Sequence, residues 1–300
     1  MKDSGYTFGL CLSHDVDRVY KSYQYLYEAL IEKQPQKALG LLSSNNPWWQ
    51  FERIMDLEAS FDVRSSFNIL AEDRFSERPI REQLSKDGVQ LYAGRYDVLN
   101  PQLKSTFKIL DRHGWEISLQ GSFNSSVEPE RFAAEKERIE LASGTEVNGN
   151  RQHHWRLEPP NTWQHLRDVG VKYDTSLGDS HTVSPPRDIG EVIRPFGDEF
   201  VVFPWTLMDG AVMGAGEYRD CIDSAKQVLE QARDSRGVIV ADWHQRVFHE
   251  PDFPGWARAY REIIEMALDM GAWVGPPRKF YDALSHPDGS VDGALKTLAE

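Results

Sequence analysis

Ser13-His14-Asp15-Val16-Asp17 sets two carboxylates two residues apart just after the apolar run Tyr6 to Leu12. Past a buried strand, such a pair suits a metal ligand beside a general base. An aspartate in that place also serves as a turn former or helix cap, so the pair alone does not define a site. A second group comes from far along the chain, where the run Gly237-Val238-Ile239-Val240-Ala241 ends in Asp242-Trp243-His244. Strand ends converge in a parallel architecture, which puts His244 on the same rim as Asp15 and Asp17. Other apolar runs end in Gln120 and Asn124, in Arg151, His153 and His154, and in Asp209. The adjacent histidines 153 and 154 point to opposite sides of an extended segment, so only one of them is expected to face the site.

These residues need a scaffold that brings distant strand ends together. Short apolar runs at 6–12, 63–70, 115–119, 146–149, 171–174, 200–205, 237–241 and 272–274 read as buried strands. Helical patterns fall between them, at 19–32, 48–60, 102–113, 129–142, from 162, 217–233 and 256–270. That alternation predicts a parallel sheet, and seven or eight such units fit a single-domain distorted (β/α) barrel spanning residues 1–300. Residues 71–100 and the Pro185-Pro186 region read as loops on the same domain. Trp48, Trp49, Tyr92 and Tyr96 are assigned to the core.

Composition narrows the function. A net charge of -13, from 47 acidic and 34 basic residues, excludes a general phosphate-backbone binder. Only 12 of the basic residues are lysines, a surface that concentrated salt would screen. No window approaches the roughly 18 apolar residues of a membrane span. The amino-terminal residues do not read as a signal peptide, and the two cysteines, Cys11 and Cys221, form no disulfide framework, so a cytoplasmic protein is expected. The sequence specifies no oligomeric state.

In order, these segments resemble the motifs of the polysaccharide deacetylases of the nodulation-factor type, carbohydrate esterase family four. Leu12-Ser13-His14-Asp15-Val16-Asp17 is similar to the first motif, in the form that separates its two aspartates by one residue. Trp115 to Asn124 resembles the second, Gly149-Asn150-Arg151-Gln152-His153-His154 an R-Q-H form of the third, and Val240 to His244 the closing motif. The likeness runs over about residues 7 to 282. It implies removal of an acetyl group from an amino sugar or polysaccharide precursor, with a divalent metal, usually zinc, as cofactor. Carried over, Asp15 is the base, Arg151 orients it, His244 is the acid, and Asp17 holds the metal, with His153 a further ligand. His14, Trp243 and Asp209 are expected to contact the sugar.

The family's two histidine-ligand positions here hold Gln120 and Asn124, and carboxamides are poor zinc ligands beside imidazole. Two functions follow: a metal-dependent deacetylase, or a metal-free, non-catalytic relative that binds carbohydrate or a partner.

Overall fold

The computed structural model describes residues 5–42, 46–178, 190–284 and 289–300; the Pro185-Pro186 segment lies outside them. Nine short strands form one sheet: β1 (Gly9–Val16), β2 (Ser66–Ile69), β3 (Glu116–Gly121), β4 (Gly149–Gln152), β5 (Tyr173–Asp174), β6 (Val201–Val202), β7 (Trp205–Met208), β8 (Val238–Asp242) and β9 (Trp273–Gly275). Eight follow the order β6-β5-β4-β3-β2-β1-β8-β7, and β9 pairs with β1. Every ladder between these strands is parallel. The two ends of the order, β6 and β7, are separated along the chain by only Phe203 and Pro204. So short a link reaches about 10 Å, so the sheet must curl until its edges nearly meet. The result is the single-domain distorted (β/α) barrel, with helices outside it.

The run at 200–205 was one expected strand and is two, because Pro204 has no N–H to donate to a ladder. The expected helix at 19–32 starts only at Tyr23. Before it, Val19 and Lys21 are buried, and the Lys21 amine is held 2.6 Å from Asp252. Residues 71–100 are not plain loop: they contain the short helices Ile80–Gln83 and Lys86–Tyr92, the second capped where the Ser85 hydroxyl accepts from Gly88 N.

Two shifts in strand bounds matter for the site. β1 does not end at Ser13 but continues to Val16, so successive side chains alternate between the barrel interior and the helix layer. β4 begins at Gly149 rather than ending there, which draws Arg151 inside the barrel. Glycine is required at its start, because a Cβ there would lie 2.3 Å from the Tyr173 ring.

The same alternation sends His14 outward from the barrel, against the helices. It is fully buried, with Nδ1 2.7 Å from the Trp243 carbonyl and Nε2 2.8 Å from Glu58 of helix Phe51–Ala59. The Glu58 carboxylate also accepts from Tyr260 at 2.7 Å and Trp115 at 2.6 Å, binding β1 to three other parts of the fold. His14 and Trp243, expected at the sugar, do not line the cavity: both lie fully buried beneath it. Removing Glu58 leaves buried polar groups of His14, Tyr260 and Trp115 without their partner, at about 1–3 kcal/mol for each unsatisfied group. Glu58→Ala is expected to lose stability of that order in a denaturant titration; a loss below about 1 kcal/mol would show that the cluster does not hold β1.

Candidate active site

β1 delivers Asp15 and Asp17 to the open end of the barrel, and the Tyr96 hydroxyl fixes that end by donating to the Val16 carbonyl at 2.6 Å. There they line a cavity of about 1120 Å³ together with Gln120, His153, His154, Asp209, His244 and Arg246. Asp15, Asp17 and His244, drawn from two well-separated segments, offer ligand atoms all within 4.8 Å of one another, close enough to hold a metal ion.

Asp17 is the most heavily bonded group. Its Oδ1 accepts from Gln120 Nε2 at 2.9 Å and lies 3.3 Å from His153 Nδ1. Its Oδ2 accepts from Arg246 Nη1 at 2.6 Å and lies 3.6 Å from His244 Nε2. Burial alone would raise its pKa, but the Arg246 guanidinium and then His244 outweigh it and hold the carboxyl well below the usual carboxylate range.

Asp15 is tuned the other way. Its Oδ1 accepts from Asn68 at 2.8 Å, its Oδ2 from Gln120 at 3.3 Å, and Arg151 Nε stands 4.0 Å away. Burial, aided by the nearby Asp242 carboxylate, exceeds the pull of Arg151 and His244 and raises its pKa to about 7. Arg151 is itself fully buried inside the barrel, donating to the Ser13 hydroxyl at 3.0 Å, which in turn is 3.2 Å from Asp242.

The Asp209 carboxylate accepts from both the backbone N–H and the ring Nδ1 of His244, at 2.8 and 2.9 Å. Asp209 thus orients the histidine from behind. Burial would lower the pKa of His244, but Asp209 and Asp17 together raise it from 6.5 to about 10, so the ring is an imidazolium at neutral pH. His153 is neutral, since burial lowers its pKa to about 3. Arg95 donates to its Nε2 at 3.1 Å, which leaves Nδ1–H to face Asp17. His154 is the exposed member of the pair and also reaches the cavity wall, because its positive φ of 54° breaks the extended alternation expected of it.

The residues at the family's ligand positions do not fit its zinc. Gln120 turns its amide nitrogen, a donor, toward both aspartates. Asn124 is engaged elsewhere, donating to Tyr92 at 3.2 Å and accepting from Arg156 at 3.0 Å. The charge that a metal would bring to Asp17 is already supplied by Arg246. Asn68, Arg95 and Arg246 were not among the expected site residues. Asn68 had a signal, a polar residue between Phe67 and Ile69 in an apolar strand, whereas Arg246 lies in a short turn with no periodicity to mark it.

No protein-family model matches the sequence, and no curated protein does. Solved structures do, and the fold they share with this chain is that of the polysaccharide deacetylases. A protein assigned as a polysaccharide deacetylase in Mycobacterium smegmatis aligns with a TM-score of 0.59 at 20% identity, over 94% of this chain and 91% of its own. Puue allantoinase aligns at 0.60 and 15% identity, over 96% and 93%. A third, assigned as a polysaccharide deacetylase in Pseudomonas aeruginosa PAO1, aligns at 0.58 and 14% identity, over 94% and 93%. Among the described residues, no helix is long and apolar enough to cross a membrane.

The His244–Asp209 pair has a thermodynamic signature. A histidine whose folded pKa is raised to about 10 from 6.5 contributes stability that is complete below about pH 6.5 and lost as the pH rises through 10. In Asp209→Asn, ring-carbon NMR is expected to show His244 titrating at distinctly lower pH. An unchanged titration would contradict the pairing.

Proposed function

We propose that the protein is a hydrolase of the polysaccharide-deacetylase type, which frees the amino group of an acylated amino sugar using an aspartate base and a histidine acid arranged around a guanidinium. The observation that supports this best is the upward tuning of two groups beside Asp17: a carboxyl near neutrality at Asp15 and an imidazolium at His244. Asp15 takes a proton from water as the water oxygen attacks the acyl carbon. The charge that develops on the carbonyl oxygen faces Arg246. The His244 Nε2 proton then passes to the sugar nitrogen as the carbon–nitrogen bond breaks, releasing a carboxylic acid and a free amine. Asp17 reacts with nothing; it holds Arg246, Gln120, His153 and His244 in register. Tyr23, Trp155 and Trp256 on the cavity wall offer faces on which a carbohydrate ring can stack.

A second reading is favoured by the spacing of Asp15, Asp17 and His244. A divalent ion held by these three would supply Lewis-acid polarisation of the acyl carbonyl. It would require Arg246 to leave Asp17 and His244 to give up its ring proton.

On an acetylated amino sugar, kcat/KM is expected to rise as Asp15 ionises near pH 7 and fall as His244 deprotonates toward pH 10. Asp15→Asn and His244→Ala should each reduce kcat/KM about 100- to 10,000-fold. Full activity in both variants would remove the proposed roles, and no turnover by the parent protein across acylated amino sugars would leave a carbohydrate-binding relative instead.

A further inference from the structure

Helix Tyr23–Leu30 has its amphipathic character reversed. It buries Glu28, which is held by Lys21 at 3.0 Å and Lys37 at 3.7 Å, while Leu30 and Ile31 beside it are 74% and 64% exposed. Burying a carboxylate while leaving aliphatic side chains in water is unfavourable on both counts, unless the exposed face meets an apolar partner. Leu84, on the wall of the cavity, is 82% exposed. Nine of the thirteen exposed large hydrophobic residues among the described residues fall within 26–42 and 80–84.

Tyr27, Ile31 and Leu84 belong both to this exposed set and to the wall of the cavity that holds Asp15 and His244. Tyr23 and Val89 extend the same wall. At about 1120 Å³ the cavity exceeds the roughly 300–1,000 Å³ usual for a small-molecule site, leaving space beyond one acylated sugar ring. The apolar residues line a concavity, which a flat protein face cannot enter and a flexible chain can.

We propose that this wall receives the aliphatic chain of an amphiphilic glycoside, whose sugar head lies over Asp15 and His244 while the chain leaves between residues 23–31 and 84–89. Placement of the head rests on the hydrolase reading; binding of the chain requires no turnover. The test is calorimetric titration with methyl, hexyl and octyl β-glucosides, each below its micellar concentration. Affinity is expected to rise about tenfold for each two methylene groups buried. Leu84→Asp and Ile31→Asp should each abolish that chain-length dependence, and Leu141→Asp, equally exposed but on another surface, should leave it intact. All three sites are exposed, and circular dichroism verifies that the variants fold. Equal affinity for methyl and octyl glucoside would overturn the proposal. So would an equal loss in Leu141→Asp, or sedimentation showing a dimer that Leu84→Asp dissociates without weakening octyl binding. A chain-length dependence without hydrolysis would retain this inference and discard only the hydrolase reading.

Discussion

The contact between Arg246 and Asp17 is the constraint on which the rest of the site depends. A buried carboxylate needs compensation close by, and at 2.6 Å the guanidinium provides it as a charge-assisted hydrogen bond. With Asp17 ionised, Gln120 has an acceptor for its amide, neutral His153 has one for its Nδ1 proton, and His244 faces a second negative group besides Asp209. Asp15 lacks such a cation in contact, with Arg151 at 4.0 Å, and its pKa rises. Two aspartates separated by one residue thereby acquire opposite properties from their neighbours alone.

The fold makes this division possible through the alternation of β1. Ser13, Asp15 and Asp17 share the barrel interior with Arg151, Asp242 and Gln120, while His14 between them is locked to Glu58 in the helix layer. The interior is therefore polar at its open end, and the strands around it are short. Parallel ladders to β2 and β8 hold β1 on both edges, and the ties from Glu58 to Tyr260 and Trp115 fix its outer face. The position of Asp15 is thus set by covalent geometry and by the packing of a residue next to it that never meets the cavity.

Much of this was legible in the sequence. The parallel sheet followed from strand and helix periodicities, the barrel from the number of such units in one chain, and the convergence of Asp15, Asp17, Arg151 and His244 from the rule that parallel strands present their carboxyl ends together. What escaped has physical reasons. Polar residues usually end a buried run, which sets the expected end of the first strand at Ser13; here the polar side chains continue into a polar lumen. His14 and Trp243 adjoin reactive residues in sequence but point the other way, a distinction that depends on where β1 and β8 stop. Arg246 could not be found from pattern, since the turn Gln245–Phe248 alone brings it back over Asp17. The replacement of the family's histidines by Gln120 and Asn124 was visible, yet its meaning was not, until the amide of Gln120 was seen to donate toward both carboxylates.

Arg246 and Gln120 meet the bonding needs of Asp17 from within the protein. Equilibrium dialysis of the intact protein against zinc, followed by elemental analysis, tests this directly. No stoichiometric zinc that depends on Asp17 is expected, so that parent and Asp17→Ala retain the same amount. One zinc per chain in the parent protein, lost in Asp17→Ala, would contradict it.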